Sequence, residues 1–172
     1  MDINWQGSVQ IAAPIGQVYR YLTDFPRHSE WAQTVERLEW TRAGDATGVD
    51  AQYVTTERQT LQADRKPREP LTNGEPDQTL CEVRELLPNR RIAWHSHMLP
   101  DADPSADLDF DLAAAENGDT LLIQHQRLSV PDSIVAEMQR MFDSDVLELL
   151  YMQWEAGLRN IKAILEERVT SA

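Results

Sequence analysis

The sequence contains a single cysteine, Cys81, few basic residues, and no hydrophobic run as long as a membrane span. One cysteine cannot form an internal disulfide or a cysteine-based metal site. A transmembrane helix needs about 20 consecutive apolar residues, so we expect no membrane insertion. The 16 basic residues against 29 acidic ones give a net charge of -13. This charge argues against nucleic acid and anionic lipid surfaces as partners.

Several signatures of exported proteins and of common enzymes are missing as well. The N-terminus has no basic segment followed by an apolar one, and we therefore expect a cytoplasmic, reduced protein. We find no glycine-rich phosphate loop, Ser-His-Asp order or paired-carboxylate spacing, which argues against kinases and hydrolases. The length predicts a single domain over residues 1–172.

The strongest positive signal is a hydrophobic stripe in the last third of the chain. Its apolar residues follow one another in steps of three and four, which predicts one long amphipathic helix over roughly residues 135–168. A helix of this length needs a large partner to cover its apolar face. The stripe consists of Met138, Met141, Phe142, Val146, Leu149, Leu150, Trp154, Leu158, Ile161 and Leu165.

The rest of the chain reads mainly as short strands. Alternating apolar and polar residues predict seven of them, at residues 3–12, 35–41, 49–58, 79–87, 90–98, 107–114 and 120–130. Pro14 opens a predicted helix, and a second short helix or turn follows it. Residues 59–78 are polar and rich in proline, so we expect an exposed insertion, as a loop or a lid, and we favour the loop.

This order of elements, together with several local motifs, resembles the START-like, Bet v 1-like (SRPBCC) superfamily, nearest to its polyketide cyclase/dehydrase type. The motifs are VQIAAPIGQVY at residues 9–19, LTDF at 22–25, LPNRRIAW at 87–94 and WEAGLRNIK at 154–162. The resemblance implies an α+β helix-grip fold: a seven-stranded antiparallel curved sheet wraps a long C-terminal helix, with two short helices after strand 1. It also implies a cavity between sheet and helix, with no cofactor. Members of the superfamily include carriers, sensors, cyclases and chaperone-associated domains, so the fold alone does not assign a function.

Large apolar side chains on the predicted cavity walls are the candidate ligand-binding residues. Trp31 is placed near the cavity mouth, where it could close the pocket or simply fill the core. Phe110 resembles a cavity-facing aromatic of the aromatic cyclases, and core packing is compatible with that role. A hydrophobic helix stripe is core more often than it is a binding surface. The candidates are Trp31, Trp40, Trp94, Phe110, Met138, Phe142, Leu150 and Trp154.

Three residues are candidates for catalysis, namely Arg84, Tyr53 and His95. Through the resemblance, Arg84 corresponds to a pocket arginine that can stabilise an enolate. A surface arginine paired with Glu82 or Glu85 is the alternative, which we favour because charged residues flank it. Tyr53 has a hydroxyl that needs a partner if it is buried, and a ligand carbonyl could be that partner.

The histidines of the sheet allow two interpretations. His95 and His97 share one face of their strand, opposite Trp94, and His125 lies on a later strand. On an inward face a histidine could act as a general base, whereas on the outer face these residues would be ordinary surface groups. No cysteine or well-placed carboxylate completes a metal site, so we predict none. The aspartates between residues 101 and 111 are expected to form a solvated face.

Three classes of function agree with this sequence. We favour a binding protein for a hydrophobic or aromatic small molecule, such as a polyketide, isoprenoid, quinone or lipid. The second is a cofactor-independent polyketide cyclase, aromatase or dehydratase that uses the same cavity. The third is a protein-interaction domain of the chaperone-activator type, which would need an exposed apolar patch. The sequence leaves open the ligand, any turnover and the oligomeric state.

Overall fold

A computed structural model describes residues 1–57, 77–141 and 146–170, and within them the side chains of all but residues 137–141, 146 and 169–170. Its centre is one seven-stranded sheet in which all neighbouring strands are antiparallel. The strands are β1 (Asp2–Ile11), β2 (Val35–Arg42), β3 (Gln52–Glu57), β4 (Gln78–Leu87), β5 (Arg91–Met98), β6 (Ser105–Ala114) and β7 (Thr120–Ser129).

The strand order across the sheet is β1-β7-β6-β5-β4-β3-β2. Strands β2 to β7 therefore form a meander, and β1 joins it at the far side by pairing with β7. Two helices follow β1 directly, α1 (Ile15–Thr23) and the four-residue α2 (His28–Trp31), with a 3-10 turn (Phe25–Arg27) between them. The predicted α+β fold, with a curved antiparallel sheet and short helices after its first strand, is confirmed.

The segment that the stripe predicts as one helix contains two described helices. These are α3 (Asp132–Met141) and α4 (Val146–Thr170), and residues 142–145 lie outside the described residues. Helix α4 packs on one face of the sheet, which we call the inner face, and contacts β1 and α2. Leu158, Ile161 and Leu165 on α4 are buried in the hydrophobic core. Burying each such side chain stabilises the fold by about 1.5–3 kcal/mol.

The close approach of α4 to β1 depends on Gly7. A Cβ atom at this position would lie 2.4 Å from Cη2 of Trp5 and 3.0 Å from Cδ1 of Leu158. The Trp5 ring therefore folds over the glycine and meets Trp154 of α4, with ring centroids 5.6 Å apart. Any larger residue at this site would push the helix or the indole away from the strand.

The predicted insertion at residues 59–78 lies largely outside the described residues. Its last two residues, Asp77 and Gln78, are described. Asp77 is fully buried and Gln78 begins β4. Their backbone oxygens explain this, because that of Asp77 accepts a hydrogen bond from the Glu57 amide at 2.8 Å and that of Gln78 accepts one from the Leu99 amide at 2.8 Å. The polar side chains here give no sign that the backbone is hydrogen-bonded to neighbouring segments.

Candidate functional site

A cavity of about 240 Å³ lies between the inner face of the sheet and helices α2 and α4. Strands β3 to β7 each contribute side chains to its wall, as do the two helices and the segment after α2. The lining residues are His28, Trp31, Ala32, Gln33, Thr34, Val35, Tyr53, Thr55, Glu57, Thr79, Cys81, Trp94, Ser96, Ala106, Leu108, Gln124, Gln126, Gln153, Trp154 and Gly157.

Helix α2 holds two of the lining rings in place. The Nε2 atom of His28 donates a hydrogen bond to the carbonyl oxygen of Leu22 at 3.0 Å, so its other ring nitrogen carries the lone pair. The Trp31 carbonyl accepts a hydrogen bond from Asn160 of α4 at 3.1 Å. Gly157 of α4 lies directly under the Trp31 indole. The position of both rings is therefore tied to α1 and α4, although α2 itself is a single turn.

Aromatic rings form one end of the cavity. The Trp31 ring lies 5.0 Å from the His28 ring and 5.8 Å from the Phe110 ring, measured between centroids. Trp94 lies 5.4 Å from His28 and 5.7 Å from Phe110. Tilted and edge-to-face contacts at these distances are favourable for aromatic rings. This end offers flat apolar surfaces to a ligand.

Polar but uncharged side chains cover much of the remaining inner face. Thr55, Ser96, Gln124 and Gln126 are all buried and line the cavity. The Thr55 hydroxyl donates to a Glu57 carboxylate oxygen at 3.0 Å, and the Ser96 hydroxyl donates to the Ala106 carbonyl at 3.4 Å. The cavity is thus amphipathic and is not lined by hydrocarbon alone.

Two buried polar atoms have no hydrogen-bond partner within the described part of the chain. They are the indole nitrogen Nε1 of Trp31 and the amide oxygen Oε1 of Gln124. Both side chains line the cavity, and leaving such a group unpaired costs about 1–3 kcal/mol.

Burial keeps three titratable groups of the cavity in their neutral forms near pH 7. It lowers the pKa of His28 to about 4 and raises the pKa of Cys81 to about 12. Burial is also the main reason why the pKa of Tyr53 lies well above its usual value of 10.0, and a hydrogen bond with Cys81 adds to the effect. These groups can donate or accept hydrogen bonds, but none of the three titrates near pH 7.

The predicted ligand-binding residues fall into three groups. Trp31, Trp94 and Trp154 line the cavity, and Phe110 is fully buried behind the first two. Trp40 is 50% exposed on the edge strand β2, where it touches Tyr53, and Leu150 is partly exposed on α4 without lining the cavity. Phe142 and the Met138 side chain lie outside what the structure describes.

Of the three predicted catalytic residues, only Tyr53 lines the cavity. Arg84 lies on the outer face of β4, with its side chain 55% exposed and 2.6 Å from Glu82. His95 lies on the outer face of β5 and contacts Asp107 at 2.9 Å. The cause is strand alternation, because Val83 and Trp94 point inward and their neighbours along each strand must therefore point outward.

The outer face also holds a cluster that has the composition of a metal site. Ligand atoms of Asp109, Asp111 and His125 lie within 4.8 Å of one another. The guanidinium of Arg91 contacts this cluster, at 3.2 Å from Asp109 and 2.7 Å from Asp111. Arg91 therefore supplies the positive charge that a cation would bring, and it would repel a second one.

Three important cavity residues escape sequence reasoning: His28, Gln124 and Gln126. The two glutamines occupy alternate positions of β7, in step with the buried Leu122, so the strand period could have revealed their inward direction. Their polarity concealed it, since polar residues are expected outside. His28 follows Pro26 in a short turn, where no periodicity indicates which side chains are buried.

The comparison with protein families gives a match over nearly the whole chain. The model of the family described as polyketide cyclase / dehydrase and lipid transport matches residues 2–166. The chain belongs to this family. The resemblance in its motifs to the START-like, Bet v 1-like superfamily is thereby confirmed. A comparison with curated protein sequences finds no match.

Solved structures similar to this family member share its fold at low sequence identity. A START superfamily protein from Mycobacterium smegmatis is 12% identical, with a TM-score of 0.67 over 95% of this chain and 97% of that one. The Zhui aromatase/cyclase from Streptomyces sp. R1128 is 16% identical, with a TM-score of 0.66 over 98% and 96%. Ara h 8.0201 is 8% identical, with a TM-score of 0.60 over 96% and 98%. Among the helices of the described residues, none is long and apolar enough to cross a bilayer.

Proposed function

We propose that this protein binds a small aromatic molecule in the cavity between its sheet and helix α4. The observation that carries the proposal is a cavity whose aromatic end is built by His28, Trp31 and Trp94. Membership of a family whose description includes lipid transport supports a binding role.

The volume of the cavity limits the size of the ligand. An apolar cavity of about 150 Å³ in another protein binds benzene. The 240 Å³ available here leave room for a compound of about two fused rings. Pockets for larger organic ligands usually measure about 300–1,000 Å³. A sterol or a long polyketide chain would therefore need the walls to move apart.

The second candidate function is a cyclase or dehydratase in the same cavity. Its support comes from the family description and from Tyr53, whose neutral hydroxyl could donate a hydrogen bond to a substrate carbonyl. General acid and base catalysis works best with a pKa near the working pH. The pKa values of His28 and Cys81, about 4 and about 12, lie far from it. We therefore favour binding over catalysis.

A protein-interaction role has less support. The large hydrophobic side chains exposed within the described residues are Met1, Trp40, Leu87 and Met152. Met1 precedes β1, and the other three lie on β2, β4 and α4. Single exposed hydrophobic residues are normal on soluble proteins.

Gly157 provides the test of the proposal. A Cβ atom there would lie 3.6 Å and 3.7 Å from Cε3 and Cζ3 of Trp31, which is ordinary contact distance. Gly157→Ala should therefore fit, whereas the longer side chain of Gly157→Leu must enter the cavity. We expect naphthalene, titrated by calorimetry, to bind the wild type and the alanine variant and to lose at least tenfold in affinity for the leucine variant.

Two results would contradict the proposal. One is a wild-type protein that binds neither naphthalene nor 1-naphthol. The other is equal naphthalene affinity for Gly157→Leu and Gly157→Ala, since that would place the bound molecule elsewhere. Native mass spectrometry of the purified protein adds a direct search for a molecule that copurifies with it.

A further inference from the structure

One wall of the cavity carries a hydrogen-bonded row of polar side chains on β3 and β4. Tyr53, Thr55 and Glu57 occupy alternate positions of β3 and all line the cavity, and Cys81 of β4 is the cross-strand partner of Tyr53. The Cys81 thiol forms hydrogen bonds with the hydroxyls of Tyr53 and Thr55. The Thr55 hydroxyl donates to a Glu57 carboxylate oxygen at 3.0 Å. The row therefore ends in a carboxylate that borders the cavity.

Glu57 has surface left for contact with a bound molecule. It is partly exposed, whereas Tyr53 and Thr55 on the same strand are buried. Burial is the main reason why the pKa of Cys81 is raised to about 12, and the negative charge of Glu57 acts in the same direction. The carboxylate is thus close enough to influence a second residue of the cavity wall.

Glu57 also gives the cavity its charge. Among the described residues that line the cavity, it is the one side chain that is ionised near pH 7, since burial keeps His28, Tyr53 and Cys81 neutral. A charge acts much more strongly where water is partly excluded than in bulk water. The carboxylate therefore attracts a cation into the cavity and repels an anion, and the described lining contains no lysine or arginine to offset that repulsion.

We propose that the ligand is an aromatic compound with an ammonium group, which donates a charge-assisted hydrogen bond to the Glu57 carboxylate. The aromatic part of the ligand occupies the rest of the cavity. This inference rests on the proposed function and makes Glu57 the residue that selects the charge of the ligand. It disfavours fatty acids and aromatic acids as ligands.

Three indane derivatives of similar size test the preference for charge. At pH 7 indane is neutral, 2-aminoindane is a cation and indane-2-carboxylate is an anion. By calorimetry we expect the wild type to bind 2-aminoindane at least tenfold more tightly than indane-2-carboxylate. Equal affinities for these two compounds, or tighter binding of the acid, would overturn the inference.

Two substitutions that change the net charge equally assign the preference to a residue. Glu57→Gln keeps the size of the side chain and an acceptor for Thr55. It should lower the affinity for 2-aminoindane at least tenfold and leave that for indane unchanged. Glu82→Gln removes a carboxylate from the outer face, where Glu82 contacts Arg84, and should leave both affinities unchanged. An equal loss of 2-aminoindane affinity in both variants would assign the preference to the overall charge and overturn the role of Glu57.

A second measurement locates the bound amine without altering Glu57. Gly157→Leu should lower the affinity for 2-aminoindane at least tenfold relative to Gly157→Ala, because the leucine side chain enters the cavity. Equal affinities would place the amine outside the cavity and contradict the inference. Circular dichroism and thermal unfolding check the fold of each variant. If Glu57→Gln does not fold, this comparison and the wild-type preference for the amine over the acid decide together.

These outcomes differ from those that test binding itself. Failure of naphthalene and 1-naphthol alike to bind the wild type would contradict the proposed function. Binding of naphthalene that Gly157→Leu weakens, with equal affinities of the wild type and Glu57→Gln for 2-aminoindane, would retain the cavity as the binding site and overturn the selection of charge by Glu57.

Discussion

The two faces of the sheet differ in the charge and the pairing of their polar groups. On β5, Trp94 and Ser96 point into the cavity, while His95 and His97 point outward. Outer-face charges form ion pairs, such as Arg84 with Glu82, whereas the chamber contains buried neutral groups and two atoms without partners. An acidic protein can therefore maintain a largely uncharged binding site.

The largest difference between the faces should appear at adjacent residues of β6. Phe110 is fully buried against Trp31 and Trp94, so Phe110→Ala should lower the free energy of unfolding by about 3–5 kcal/mol. Asp111 points to the other face and is 40% exposed, so Asp111→Ala should cost at most about 1 kcal/mol. Urea denaturation measures both values. Similar losses for the two variants would contradict this division between the faces.

A smaller effect is expected from the buried histidine when the pH changes. The pKa of His28 is lowered from 6.5 to about 4 in the folded protein, mainly because burial disfavours its charged form. Between these pH values the unfolded chain binds a proton that the folded chain does not. Stability should therefore fall as the pH drops from about 6.5 to 4, with up to about 3 kcal/mol from this residue.

His28→Gln removes this titration and retains a donor for the Leu22 carbonyl. Denaturant unfolding at several pH values should show a flatter dependence for the variant in this window, although carboxylates also titrate there. The outer-face substitution His95→Gln is the matched control. If His28→Gln and the wild type lose stability in parallel, the assignment to His28 is wrong.

The outer face can be tested at its most buried charge. The Asp109 side chain is 8% exposed and faces Arg91, which also contacts Glu85 and Asp111. Arg91→Met should cost about 1–3 kcal/mol in urea denaturation, because it leaves a buried carboxylate without its cation. The double variant Arg91→Met with Asp109→Leu should recover part of this loss. No recovery would show that packing of the arginine stem, and not its charge, carries the effect.

The sheet could be predicted from the sequence to a large extent, and the residues that line the cavity only in part. Alternation located all seven strands to within a few residues, because each strand buries one face and turn residues separate them. The pairing of β1 with β7 joins distant parts of the chain, and the sequence analysis did not predict it, because local alternation does not show which strands are neighbours. The prediction that His95 and Trp94 lie on opposite faces of β5 was correct as well.

When a strand has polar residues on both faces, its sequence does not show which face is buried. In β7, Gln124 and Gln126 alternate with His125 and Arg127, so polarity alone could not choose between them. On β4 the charged residues that flank Arg84 favoured the surface alternative for the arginine, and its side chain is exposed beside Glu82 in the structure. Cavities form where large side chains fail to meet, and this depends on packing between elements that are distant in sequence.

The smallest effect is expected at Arg84. Its side chain is 55% exposed and its contact is Glu82 on the same strand, so Arg84→Gln should change the free energy of unfolding by less than about 1 kcal/mol. The affinity for 1-naphthol should stay the same, because the residue lies on the face opposite the chamber. Thermal unfolding and calorimetry measure the two quantities. A tenfold loss of affinity would restore Arg84 as a functional candidate.

Cys81 gives the protein a reporter of its own. It is the one thiol of the chain, it lines the chamber, and its pKa of about 12 keeps it protonated and slow to react. A small uncharged alkylating reagent must enter the chamber to reach it. Protection of this thiol from alkylation therefore measures occupancy of the cavity. Compounds can be screened on the unlabelled protein by mass spectrometry, because a bound compound reduces the mass that the reagent adds.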